Sequence, residues 1–279
     1  MNDKGREELR EEIKRRIKQM CLMDDDFMTM VLQHKECAEL VLRIILKKDD
    51  LTVISCKSQY EINSLSGRSV RLDVYAADSK GRKYNIEIQR SDLGAFPERA
   101  RYNSSMIDSD SLDKNQSPRE LPEIYVIFIT EHDVLKRDLP IYNIERVITQ
   151  TGELFGDRSH IIYVNSQIRD ETALGKLMSD FHSKEPKGMN YPVLEEKSEF
   201  YKYGGGRNNM CRLMEELLDE EGKKREEKGR EEGREEGKKE STIDHIKRFL
   251  LMKEFSLEKI AAMFDVSIEE VKRISDSLT

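Results

Sequence analysis

The sequence predicts an α/β fold with helices against one mixed sheet, in the order α-β-β-β-α-β, and three observations predict it. Between residues 24 and 47, Phe27, Val31, Ala38, Val41, Leu42 and Ile45 recur at helical spacing and form one apolar stripe. From 70 to 89 the period changes to two: Val70, Leu72 and Val74 alternate with Arg71, Asp73 and Tyr75, and Tyr84, Ile86 and Ile88 alternate with Asn85, Glu87 and Gln89. The run from Ile124 to Ile129 is apolar throughout, as a strand buried on both faces requires.

Each element follows in turn. Residues 1–23 read as a charged helix whose Leu9, Ile13, Ile17 and Met20 make a narrow docking face. The acidic cluster Asp24, Asp25 and Asp26 precedes the core helix, and a first strand is expected within 52–62. Strands at 69–77 and 83–89 make a hairpin. Pro97, suited to the first turn of a helix, opens a segment to about Ile107 with Phe96, Ala100, Asn103 and Ile107 on one side. The Ile124–Ile129 strand follows, then short strands between 141 and 165 and a helix near 171–182. Gly204, Gly205 and Gly206 mark a joint, and Asn208 to Leu218 is expected to be helical.

Residues 219–240 hold ten acids, eight bases and four glycines, so they cannot bury a core. Gly229, Gly233 and Gly237 recur every fourth residue there, and the segment reads as a charged helical tether. The expected organisation is a main domain over 1–203, a joint, helix and tether over 204–241, and a small helical module over 242–279. In that module Ser256 and Ser267 are candidate N-caps, and Ile260, Ala261, Val266 and Val271 are packing positions of a helix-turn-helix-like pair. Its last helix starts with Glu269 and Glu270, where a helix that reads DNA meets phosphates, so packing or self-association is favoured over DNA reading. A homo-oligomer, joined through these helices, is therefore expected.

Composition narrows the function. The 279 residues carry 48 Lys+Arg against 55 Asp+Glu, a net charge of -7, which argues against a protein that simply coats nucleic acid by counterion release. A phosphodiesterase whose carboxylates hold a cation escapes that objection. No apolar run approaches the ~20 residues of a spanning helix, and the N-terminus is rich in Lys and Glu instead of carrying an apolar signal region. No membrane association and a cytoplasmic location are expected. Cys21, Cys37, Cys56 and Cys211 are widely spaced and read as buried, reduced thiols. The histidines show no zinc-hydrolase spacing, and neither a phosphate loop nor a serine-nucleophile motif occurs.

The hairpin carries the chemistry. Asp78, Ser79, Lys80, Gly81 and Arg82 fit a three-residue loop, a type I turn closed by a left-handed Gly81. That register sets Asp73 opposite Glu87, Arg71 opposite Gln89 and Tyr75 opposite Asn85. Directly opposed like charges destabilise a sheet, so something must compensate. Two readings stay open on spacing alone. One is a divalent cation bridging Asp73, Glu87 and a main-chain carbonyl near Gln89, with oxygen ligands as Mg²⁺ prefers. The other is a solvated polar face on which Arg71 partly neutralises both acids.

The string Arg71, Leu72, Asp73, Val74, Tyr75 with Tyr84, Asn85, Ile86, Glu87, Ile88, Gln89, Arg90 resembles the active-site hairpin of the PD-(D/E)XK nuclease superfamily, in particular its recombination-promoting nuclease and transposase branch. The likeness covers about 24–130, and the tether with a small C-terminal module is similar to that branch as well. It implies a restriction-endonuclease-like fold and a metal-dependent DNA endonuclease linked to recombination or mobile DNA, using Mg²⁺ or Mn²⁺. It implies that Asp73 and Glu87 are metal ligands and that Gln89 stands where the superfamily usually has lysine. A neutral amide can hydrogen-bond but supplies no charge there. From the register, Arg71 is the candidate for the missing positive charge. The superfamily commonly adds an acid from the first helix, for which Glu39 is the candidate, and Arg99 and Arg101 are candidates to steer the DNA backbone. The alternative function is a nuclease-fold protein that has lost efficient chemistry with its lysine and serves as a DNA-binding or assembly module.

Overall fold

The computed structural model describes residues 3–64, 67–91, 94–203, 245–248, 250, 256–264 and 266–276, with the side chains of 3–10, 258, 260, 262 and 276 left aside. The joint at 204–206, the helix expected over 208–218, Cys211 and the tether over 219–240 lie outside the described residues. The chain divides into two compact units, Met1–Met214 and Glu215–Thr279.

The first unit is a six-stranded mixed sheet with helices against it, consistent with a restriction-endonuclease-like fold. Its elements are α1 (Asp3–Gln19), α2 (Asp25–Leu32), α3 (Lys35–Leu46), β1 (Val53–Ile62), β2 (Val70–Asp78), β3 (Lys83–Gln89), α4 (Pro97–Ser111), β4 (Ile124–Thr130), β5 (Ile141–Ile144), β6 (Ser159–Asn165), α5 (Ala173–His182) and α6 (Pro192–Lys202). The strand order is β1-β2-β3-β4-β6-β5. β1, β2 and β3 pair antiparallel, β3, β4 and β6 run parallel, and β5 returns antiparallel to β6. The crossover from β3 to β4 passes through α4, as a parallel connection demands.

The hairpin loop has the expected form. Gly81 donates to the Asp78 carbonyl, Asp78 donates to the Arg82 carbonyl, and Gly81 sits at φ 81°, a conformation that costs a glycine nothing. Asp78 Oδ1 accepts from the Lys80 and Arg82 amides, which stiffens the turn. Main-chain pairing then runs from Ala77 opposite Lys83 to Val74 opposite Ile86, the register read from the sequence.

The helix expected through 24–47 is two helices. At the break the Leu32 carbonyl accepts from the Cys56 thiol of β1, and the Tyr201 hydroxyl of α6 bonds the side chains of Gln33 and His34, which fixes the residues between the two helices. α6 itself was not anticipated, although Pro192 at its first position and the buried Leu194 and Tyr201 signal it. The docking face of α1 is buried at Ile13, Ile17 and Met20. Cys21 and Cys37 are buried free thiols and Cys56 is partly buried, with burial pushing Cys37 and Cys56 up to about 12.

In the second unit α7 (Leu257–Phe264) and α8 (Ile268–Asp276) pack Ala261, Val271 and Ile274 with Ile246, and Val266 is partly buried beside them. Ser256 and Ser267 accept from the amides of Lys259 and Glu270, as N-caps do. Among the described residues no helix is long and apolar enough to cross a membrane.

Candidate active site

Both faces of the β2–β3 hairpin are covered. Alternation places Asp73, Asn85 and Glu87 on the face toward α4, where Ala100, Met106 and Ile107 pack with Val126 and Phe128. Asp73 is 6% exposed and Asn85 and Glu87 are 0% exposed, so the solvated polar face that spacing left open does not form. α4 brings two polar side chains one turn apart onto this buried layer, Arg99 onto Glu87 and Asn103 onto Asn85. Ala100, Asn103 and Ile107 are buried as their shared side requires, whereas Phe96, the residue before the helix, stays exposed.

Past Val74 and Ile86, the last paired residues, the carboxylates enter the hydrogen bonding between the strands. The Asp73 amide donates to Glu87 Oε1 at 3.4 Å, and the Ile88 amide donates to Asp73 Oδ2 at 3.2 Å. Glu87 Oε1 also accepts from Asn85 Nδ2 at 2.9 Å, and Asn85 Oδ1 accepts from Asn103 Nδ2 at 3.1 Å. Glu87 Oε2 is held by Arg99 Nη2 at 2.6 Å. Arg99 donates through Nη1 to the Gly94 carbonyl and lies 5.8 Å from the centroid of the Phe128 ring.

The pair is electrostatically frustrated. Burial above all, then the Glu87 and Asp25 charges, pushes Asp73 up to about 8. Burial raises Glu87 too, against the opposing pull of Arg99, Asn85 and the Asp73 amide. Asp25, at the start of α2, is raised by partial burial and by Asp26, with Arg71 and Arg99 opposing. Three carboxyl groups from α2, β2 and β3 thus feel one another, and each resists ionisation.

These residues meet at a cleft of about 980 Å³ lined by Asp25, Asp73, Gln89, Arg68, Arg71, Arg99 and Arg101 among others. Arg68, Arg71 and Arg101 are exposed. Gln89 turns its amide onto Gly94, where a Cβ would stand 1.6 Å from Gln89 Oε1, so only a glycine leaves the amide this position. The Gln89 main-chain carbonyl, near which the sequence suggested a ligand, accepts from the Glu131 amide.

Of the residues singled out from the sequence, Asp73, Glu87, Gln89, Arg71, Arg99 and Arg101 come together around this cleft. Arg99 does so as the ion partner of Glu87, an interaction the sequence did not indicate. Glu39 does not join them. It pairs with Arg43 at 2.7 Å and accepts from the Val53 amide at 2.9 Å, which holds the start of β1. Val53 faces Asp78, five residues along β2 from Asp73, or about 17 Å at strand spacing. The third acid near the pair is Asp25, whose only sequence signal was the Asp24–Asp26 cluster. Asn85 and Asn103 were also missed as site residues, although each had been placed on the correct side of its element.

All the donors are oxygens, and a pair of buried acids that resists ionisation is a favourable place for a hard divalent cation. By donor chemistry Asp73 and Glu87 fit Mg²⁺ or Mn²⁺. Among the described residues no three His, Cys, Asp or Glu side chains already converge as a metal cage, and Arg99 holds one Glu87 oxygen.

A family model described as PD-(D/E)XK nuclease family transposase matches residues 35–173, from α3 to the first residue of α5, so that Asp73, Glu87, Gln89 and Arg99 lie inside the matched segment and Asp25 outside it. No curated protein and no solved structure matches the chain.

Proposed function

The chain belongs, through residues 35–173, to the PD-(D/E)XK nuclease family transposases, which supports a nuclease-type function, and from that premise we propose that it is a metal-dependent DNA endonuclease acting at Asp73 and Glu87. The observation that carries the reading is the buried, opposed pair of carboxylates at the base of a cleft bordered by exposed arginines. Outside such a role, two like charges buried face to face are a standing cost to the fold.

Asp73 and Glu87 would hold the cation, and Asn85 and Asn103 keep the Glu87 carboxylate in place from beneath. When bound, a divalent cation supplies Lewis-acid polarisation of the phosphodiester and makes a nucleophile of water near neutral pH. Gln89, held against Gly94, orients that water by hydrogen bonding, because an amide can donate and accept but carries no charge. Arg71 supplies the positive charge that a lysine would have brought, and Arg68 and Arg101 bind phosphates and set the register of the strand without reading its sequence. A role in recombination or mobile DNA, and self-association through the C-terminal helices, complete the proposal.

Supercoiled plasmid incubated with wild type, Glu87→Ala or Asp73→Ala in Mg²⁺, Mn²⁺ or EDTA tests it. The expected result is nicking by wild type with either metal, and none in EDTA or by either variant. DNA retention and metal uptake without nicking would favour the binding or assembly module instead, for which Gln89 in the lysine position is the argument.

A further inference from the structure

Glu87 offers two oxygens, and they are not equivalent. Oε1 already accepts from Asn85 Nδ2 and from the Asp73 amide, both within the buried layer. Oε2 meets a single cationic side chain, Arg99, at 2.6 Å. Glu87 is fully buried while the Arg99 side chain is 31% exposed, so the carboxylate is fixed and the guanidinium has an open side toward the cleft. A dication taking Oε2 while the guanidinium stayed within hydrogen-bond distance would set two positive centres within a few ångströms of each other in a poorly solvated site.

We propose that Arg99 is a resident counter-ion that the metal replaces: the guanidinium holds Glu87 until a divalent cation takes Oε2, and it then swings into the cleft toward the phosphate of the bound strand. This rests on the metal reading of Asp73 and Glu87 given above. Arg99 is in this sense a positioning residue for the empty pair, and binding of the metal and release of the arginine are one exchange. The contacts suit such a swing. The Gly94 carbonyl and the Phe128 ring support the guanidinium without enclosing it, and neither carries a charge that would hold it back. Arg68, Arg71 and Arg101 line the same cleft, so a released Arg99 adds a fourth guanidinium where a phosphodiester would lie.

Calorimetric titration of the full-length chain with MgCl₂, without DNA, tests the exchange. Arg99→Met removes the competitor and is expected to bind Mg²⁺ about tenfold more tightly than wild type, with Arg99→Lys in between. Arg99→Met leaves Glu87 unpaired in the metal-free state, so a second measurement on wild type stands beside it. Saturating Mg²⁺ is expected to speed modification of Arg99 by phenylglyoxal severalfold, read by peptide mass, because the guanidinium leaves its carboxylate. Equal or weaker Mg²⁺ binding by Arg99→Met, or a modification rate indifferent to Mg²⁺, overturns the exchange while leaving the metal site standing. Absence of any Mg²⁺ uptake by wild type that Asp73→Asn abolishes overturns the metal reading, and the exchange with it.

Discussion

Asp73 and Glu87 are joined crosswise through the main chain: the Asp73 amide donates to the Glu87 carboxylate, and the amide of Ile88, next to Glu87, donates to the Asp73 carboxylate. Two main-chain amides, the Asn85 side-chain amide and one guanidinium serve two buried acids, which is too little to keep both ionised at no cost. The metal-free protein therefore stores an unfavourable charge at its site, and that charge is measurable.

The first prediction concerns pH. Asp73 is raised from 3.8 to about 8, so between those values the folded state holds a proton that the unfolded state has released. Stability then falls as pH rises through that window, the reverse of a salt-bridged carboxylate. In EDTA, denaturant unfolding of wild type should give a lower midpoint at pH 8 than at pH 5.5. Asp73→Asn should flatten this dependence and stabilise the metal-free protein at pH 8 by roughly 1–3 kcal/mol. An equal dependence in the variant would mean that Asp73 is already ionised in the fold at pH 5.5.

Much of this site was legible because a turn fixes a register. Gly81 and Asp78 determined the loop, the loop determined that Asp73 faces Glu87, and alternation put Asn85 on the same face. What alternation cannot tell is which helix covers a face. Spacing left open whether the polar side of the hairpin is solvated, and only the structure shows α4 laying Arg99 and Asn103 over it. Glu39 was chosen and Asp25 passed over for a related reason: helical phase says which side a residue occupies, but not which end of a neighbouring strand it meets. Glu39 reaches Val53 at the loop end of the hairpin, while Asp25, beyond a helix break that Tyr201 supports from α6, reaches the acidic end.

The second prediction concerns Gln89 and Gly94. A lysine at position 89 restores the charge that the amide lacks, so Gln89→Lys should keep or raise the single-turnover nicking rate, and Gln89→Ala should lower it about tenfold or more. Gly94→Ala places a methyl where the amide oxygen now sits. The amide is the end of a flexible side chain, so the fold should survive with an unchanged thermal midpoint while nicking drops. Gln89→Lys that binds DNA as wild type does and fails to cut would show that the amide's own hydrogen bonds are required.

The third prediction concerns the support beneath Glu87. Asn103→Ala removes the Nδ2 donor from the buried Asn85 oxygen, 3.1 Å away. An unsatisfied buried acceptor costs about 1–3 kcal/mol, so the urea midpoint should fall with an unchanged slope. Asn103→Asp should be worse than alanine, because it adds a third buried acid next to two that already resist ionisation. If both variants unfold at the wild-type midpoint, Asn85 finds its partner elsewhere and the relay from α4 has no energetic content.

The last prediction lies away from the site, at Lys202. Its ammonium is buried at the end of α6, 2% exposed, and donates to the main-chain carbonyls of Lys18, Met20 and Lys184, with the Phe27 ring centroid 5.1 Å away. Burial lowers its pKa, and it has main-chain carbonyls as partners instead of a carboxylate. The residue thus closes the C-terminal end of α1, whose carbonyls have no helical partner, and ties that helix to α6. Lys202→Met keeps most of the stem and removes the three donors. It should destabilise the protein by about 1–3 kcal/mol, with the largest increase in amide hydrogen exchange over α1. Uniform exchange across the unit, with no excess in α1, would show that the stem's packing on Phe27 matters and the ammonium does not.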